Sequence, residues 1–224
     1  MTDECTLEQP QEQQLETWHY FPSAVYSIKK PEFLDVVKEV SAEYVDKWLA
    51  DNKVDEIYPI VQTGSYFDDP RMADFSRFVG ETCWNILSSQ GYFMNDKNVF
   101  FTEMWTQQHY KHSLMEQHVH GYGSQLVGFY FLECPENCSR VVVHDPRPGK
   151  VQTNLPETDL SQATYGSNMI NFVPEPGTLM IANSWLPHSF GRHASEEPFK
   201  FVHFNVAVEM APPAQLCQAP AEVV

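Results

Sequence analysis

Apolar residues recur at helical spacing only in the first third of the chain. Phe33, Val36, Val37, Val40, Tyr44 and Trp48 follow i, i+3, i+4 intervals, and Pro31 suits a first helical turn, where its missing N–H costs nothing. A second run begins after Asp69-Pro70. There Met72, Phe75, Val79, Ile86 and Leu87 share one side, and Gly91 is the stop. From Val99 the texture changes. VFFTEMW, LVGFYFLE, SRVVVHD, GTLMIAN and FKFVHFNVAV are short β-branched and aromatic runs parted by Pro, Gly, Asn and Asp, which reads as a series of strands. Helices first and strands afterwards predict an α+β chain, mainly β. Its core would close as a sandwich or barrel, with the N-terminal helices packed on one outer face. Polar residues 1–16 and Pro-rich residues 211–224 read as flexible tails. Residues 17–210 then form a single domain, with a helical layer over 31–91 and a β core over 99–208.

Charge narrows the partners. Thirty acidic residues against fourteen basic ones give a net charge of −16, a field that repels phosphate backbones and disfavours nucleic acid. No run approaches the ~18 apolar residues of a membrane span. The acidic, Gln-rich N-terminus reverses a signal peptide's basic and apolar pattern, so the expected location is cytoplasmic. The five cysteines (Cys5, Cys83, Cys134, Cys138 and Cys217) are scattered and odd in number, which implies no disulfide framework. Cys134 and Cys138 flank a turn but lack the two further ligands of a zinc site, and they read as free thiols.

The candidate chemistry lies in residues 116–132, EQHVHGYGSQLVGFYFL. In an extended segment Glu116, His118 and His120 point to one side, because strand side chains alternate. Two imidazoles at i and i+2 can then reach one ion, and Gly121 and Gly123 allow the chain to turn at once. A metal that keeps positions open for substrate and oxygen needs a third protein ligand. His188 is the best placed, because the apolar run at 178–182 leads into a turn that ends on it. His109, His112, His144, His193 and His203 compete. His193 sits among charged residues and reads as solvent-facing, and His203 lies mid-strand on the face opposite Lys200.

These segments, EMWTQQ (103–108), HVHGYGSQLVGFYF (118–131), VVVHDPR (141–147), PGTLMIANSWLPHSF (176–190) and EPFKFVHFN (197–205), together resemble the 2-oxoglutarate/Fe(II)-dependent oxygenases of the prolyl-hydroxylase-like superfamily. The members it resembles are common in phages of marine bacteria and cyanobacteria, which would place a phage-encoded chain in the host cytoplasm. The resemblance runs over roughly half the chain and keeps the family's order. It implies a double-stranded β-helix, or jelly roll, whose open end holds one Fe(II) on His118, His120 and His188. It also implies 2-oxoglutarate as co-substrate, with Lys200 at the position that binds the far carboxylate. The usual ligand set has two histidines and a carboxylate. Here the middle position is His120, and Glu116 is the rival carboxylate. Asp145 and Arg147 read as a structural pair at a strand end, Tyr110 and Tyr130 as core tyrosines before co-substrate donors, and Trp105 and Trp185 as core or pocket wall.

The resulting expectation is a 2-oxoglutarate-dependent non-haem Fe(II) dioxygenase that hydroxylates a small molecule or a protein side chain and releases succinate and CO2. Two alternatives stand beside it. One is a three-histidine metal dioxygenase that does not use 2-oxoglutarate. The other is a non-catalytic, metal-stabilised jelly-roll binding module. Jelly-roll edges and a Pro-rich C-terminus are compatible with a homodimer.

Overall fold

The computed structural model describes residues 15–152 and 155–212. Most of both expected tails, with Cys5 and Cys217, lies outside those residues. In chain order the elements are β1 (Val25–Lys29), a 3-10 turn (Pro31–Phe33), α1 (Leu34–Asp51), β2 (Ile60–Gln62), a second 3-10 turn (Pro70–Met72) and α2 (Ala73–Ser89). The strand-rich part follows as β3 (Lys97–His109), β4 (Met115–His118), β5 (Ser124–Glu133), β6 (Val141–His144), α3 (Pro148–Gln152), β7 (Met169–Phe172), β8 (Thr178–Asn183), β9 (His188–Phe190) and β10 (Phe199–Met210). Each of the two long helices follows a 3-10 turn that begins on a proline, Pro31 or Pro70. The second ends at Gln90, and Gly91 takes a φ of 91°, a left-handed conformation that glycine adopts without a Cβ penalty.

Ten strands form two antiparallel sheets, ordered β1-β8-β5-β10-β3-β2 and β4-β9-β6-β7. Alternation along β5 and β10 divides the interior in two. Leu126, Tyr130, Leu132, Val202, Phe204 and Val206 face α1 and α2, where Val37, Val40, Phe75, Val79 and Cys83 cover them. Phe129, Phe131, Phe199 and Phe201 face the smaller sheet and pack on Val141, Val143 and Phe190. The large sheet is thus apolar on both faces, which is why β5 and β10 read as continuous hydrophobic runs. One polar network joins helix to sheet: Thr106 Oγ lies 2.7 Å from both Ser41 Oγ and the Tyr66 hydroxyl, all buried. The jelly-roll architecture with a helical layer on one face is as expected. Strand β1 precedes the stretch expected to be helical and β2 rises between its two helices, and together they add the two outer strands of the large sheet. No helix among the described residues is long and apolar enough to cross a membrane.

The inner layer carries one buried titratable group with a predictable effect on folding. His109 ends β3 with its ring 5.5 to 5.8 Å from the rings of Phe190, Phe199 and Phe201, and it is fully buried. Burial lowers its pKa to about 3, with His193 acting in the same direction. The unfolded chain takes up a proton near pH ~6.5 and the folded one does not. His109 therefore contributes stability that is present above that pH and lost as pH falls toward 3. Between pH 7 and pH 5 the loss is about 2 kcal/mol. Urea midpoints of the metal-free wild type and of His109→Phe at the two pH values measure it as the difference between their drops, the variant's being the smaller.

Candidate metal centre

Three local features bring the expected ligands together. Strands β4 and β9 pair antiparallel with His118 directly opposite His188. The chain then leaves β4, and the turn that follows is tied to the β8–β9 connection: His120 N donates to Ser184 O at 2.9 Å, and Ser184 Oγ donates to Ser124 O at 2.6 Å. Tyr122 and Gly123 complete the reversal with φ values of 55° and 83°, a backbone region that glycine enters freely. The turn from Asn183 to Leu186 delivers His188 to the same spot, closed by a 3.0 Å bond from Leu186 N to Asn183 O.

Ligand nitrogens of His118, His120 and His188 all lie within 4.8 Å of one another, and this is the one such grouping of His, Cys, Asp or Glu among the described residues. Their protonation pattern suits a cation. His118 Nδ1 lies 2.8 Å from Glu116 O, and His188 Nδ1 lies 3.0 Å from Leu186 O. A carbonyl only accepts, so each Nδ1 carries the hydrogen, and in the neutral ring Nε2 then holds the lone pair. Nε2 of His120 and of His188 is buried and has no hydrogen-bond partner. Burial, reinforced by the neighbouring imidazoles, holds His188 down at about 3 and His120 at about 4. Neutral imidazoles with converging lone pairs are what a divalent ion requires, and the donor set fits Fe(II).

Glu116 does not join them. The β4–β9 register shifts between Met115 and His118, so strict alternation, which would put Glu116 on the face of His118, is broken there. The residue is exposed, and its backbone carbonyl rather than its carboxylate serves the cluster. Lys200 also stands apart from the cluster. It sits three residues before His203 on β10 and so leaves the opposite face of the sheet. Its Nζ meets Glu133, its cross-strand neighbour, at 3.2 Å. The inner-face position beside it is Phe199, fully buried in the aromatic core.

Other histidines divide sharply. His203 stands behind the cluster, its ring 4.8 Å from His120 and 4.3 Å from the indole of Trp105. Its Nδ1 donates to Gly128 O at 3.1 Å, while its buried Nε2 has no partner. His193, expected in solvent, is fully buried and meets Glu197 O through Nε2 at 2.8 Å. His144 pairs with Ser189 on the outer side of the small sheet at 2.8 Å, and His112 is exposed. Asp145 and Arg147 form the expected pair at 2.7 Å. Tyr130 faces the helices and donates to Lys30 O at 2.7 Å, as a core tyrosine.

A cavity of about 400 Å³ opens beside the cluster, bounded by Tyr58, Gln62, Trp105, Gln107 and His203 together with His118 and His120. Trp105 is therefore pocket wall. A second cavity, of about 440 Å³, lies between the β1 and β7 edges under Trp18, Tyr20 and Phe21. None of the three clustered histidines lines it, so the smaller cavity is the one that adjoins the chemistry.

Comparisons with known proteins agree with this geometry. Residues 103–205, from β3 through β10, match the family described as "Putative 2OG-Fe(II) oxygenase". No curated protein matches the sequence. Among solved structures, AviO1 from Streptomyces viridochromogenes Tue57 is similar at 10% identity and a TM-score of 0.59, over 85% of this chain and 92% of that one. A Pseudomonas putida prolyl-4-hydroxylase is similar at 11% identity and a TM-score of 0.56, over 83% and 93%. HygX from Streptomyces hygroscopicus, solved with nickel, 2-oxoglutarate and hygromycin B bound, is similar at 12% identity and a TM-score of 0.52, over 83% of each chain. At these identities the structures speak for a shared fold, and the family match speaks for the chemistry. Residues 103–205 of the chain are thus similar to a 2-oxoglutarate/Fe(II) oxygenase family.

Proposed function

We propose that His118, His120 and His188 together hold the single ferrous ion of this oxygenase, and that the reaction is hydroxylation of an aliphatic C–H bond. In the balanced reaction 2-oxoglutarate, dioxygen and R–H become succinate, carbon dioxide and R–OH. The observation that carries the ligand assignment is the convergence of three imidazoles with Nδ1 of His118 and His188 engaged by backbone carbonyls. When bound, the iron supplies the oxygen chemistry. The chain's own contribution is positional. Carbonyls of Glu116 and Leu186 fix two ring orientations, the bond between His120 N and Ser184 O fixes the third ligand's backbone, and Trp105, Phe129 and His203 close the inner side against water.

Iron-loaded protein under air is expected to convert 2-oxoglutarate to succinate even without a prime substrate, and His118→Ala is expected to lower that rate to the level of free iron. Succinate quantified by chromatography checks it. Equal rates for the variant and the wild type would sink the ligand assignment.

A further inference from the structure

The cavity beside the histidines is unusual in what it lacks. All fourteen Lys and Arg residues lie within the described part of the chain, and none of them lines it. Lys200, the one cation that sequence position recommends, leaves the other face of β10 and is engaged by Glu133 at 3.2 Å. Nor does the interior leave room for a cation to reach in from deeper down. The inner layer below the cluster is filled by Phe129, Phe131, Phe190, Phe199 and Phe201, each at most 2% exposed.

What lines the cavity instead is uncharged or acidic. The indole N–H of Trp105 is a buried donor with no partner. Gln107 is buried, with its amide nitrogen engaged by His109 at 3.1 Å and its Oε1 left as an acceptor without a donor. Gln62 borders the mouth, and the carboxylate of Glu116 stands on the rim. A buried carboxylate is normally met by a guanidinium or ammonium, because charge-assisted bonds offset its desolvation. An unpaired amide oxygen suits a ligand that donates a hydrogen bond, which a carboxylate does not do.

We infer that this cavity recognises its 2-oxo acid by the metal-chelating end and meets the far end with the uncharged groups of Trp105, Gln107 and Gln62 in place of an ion pair. The inference rests on the metal centre proposed above and concerns only the selectivity of its co-substrate pocket. Under it, 2-oxoglutarate gains nothing from its second charge, and a 2-oxo acid ending in a carboxamide is an equal or better ligand.

Anaerobic titration of the Fe(II)-loaded protein tests this, with the visible charge-transfer band and calorimetry as readouts and 2-oxoglutarate and 2-oxoglutaramate as probes. The amide is expected to bind within about threefold of the diacid, or tighter, and Lys200→Ala is expected to change neither affinity by more than about twofold. Trp105→Phe, which keeps an aromatic wall and removes the N–H, is expected to weaken both by about tenfold. A diacid that binds more than about thirtyfold tighter than its amide, or that loses such a preference in Lys200→Ala, overturns the inference and leaves the metal centre intact. Trp105→Phe with wild-type affinities for both probes overturns the part assigned to the indole. If iron binds stoichiometrically and neither acid binds, this inference falls together with the co-substrate reading. If iron itself fails to bind, the ligand assignment falls first.

Discussion

His188→Ala is expected to weaken Fe(II), Co(II) or Ni(II) binding by at least about a hundredfold, more than the loss of a supporting residue around a metal typically costs. His188 is 3% exposed, stands opposite His118 across the β4–β9 ladder, and its ring lies within 5.2 Å of both other imidazoles. No other His, Cys, Asp or Glu among the described residues joins this set. The same change also costs the metal-free fold some packing and the Nδ1 bond to Leu186 O, so the readout is the shift on adding metal. The substitution removes a buried nitrogen that has no hydrogen-bond partner, and that relief offsets part of the lost packing. A ligand at about a hundred times its dissociation constant stabilises a protein by about 2.7 kcal/mol. Thermal melts with and without metal should therefore show a clear upward shift for the wild type and almost none for the variant. A variant that still gains the full shift would remove His188 from the centre.

Gly128→Val is expected to destabilise the fold by about 3 kcal/mol or more, near the upper end for overpacking a core. Gly128 sits in the middle of β5, pairs with Phe204 of β10, and has helix-facing neighbours on either side. A Cβ built there would lie 2.1 Å from Cζ of Phe204 and 2.5 Å from Cε2. Phe204 has nowhere to retreat, because it is fully buried and its ring meets Phe101 edge-on at 5.7 Å. The consequence extends to the metal, since Gly128 O accepts the bond that orients His203 against His120. Urea unfolding measures the loss, and a cost below about 1 kcal/mol would show that the ring can move.

The elements visible in the sequence were those whose burial alone dictates their pattern. Two long helices with one apolar stripe, and β3, β5, β8 and β10 with continuous apolar runs, stand out because both faces of the large sheet are covered. Strands β4, β7 and β9 have only three or four residues, too few for alternation to register, and β2 is borrowed by tertiary pairing from a stretch dominated by helical periodicity. The histidine cluster was legible because one motif supplies two of its members and a strand-end turn supplies the third. The direction in which Lys200 leaves the sheet is also present in the sequence. Lys200 lies an odd number of residues from His203, so the two cannot share a face of one regular strand. The separation of Glu116 from the cluster is not legible, because alternation breaks at a register shift that no residue type announces. The burial of His193 needed the fold, since the charged residues around it in sequence point away from it in space.

The most direct measurement of the central claim is a crystal structure of the protein loaded anaerobically with Fe(II), with the iron located by its anomalous scattering. The account predicts one peak at about 2 Å from a ring nitrogen of each of His118, His120 and His188, with no carboxylate from the chain in its coordination sphere. A peak bound by the carboxylate of Glu116 in place of any one of them, or centred anywhere else in the molecule, would contradict it.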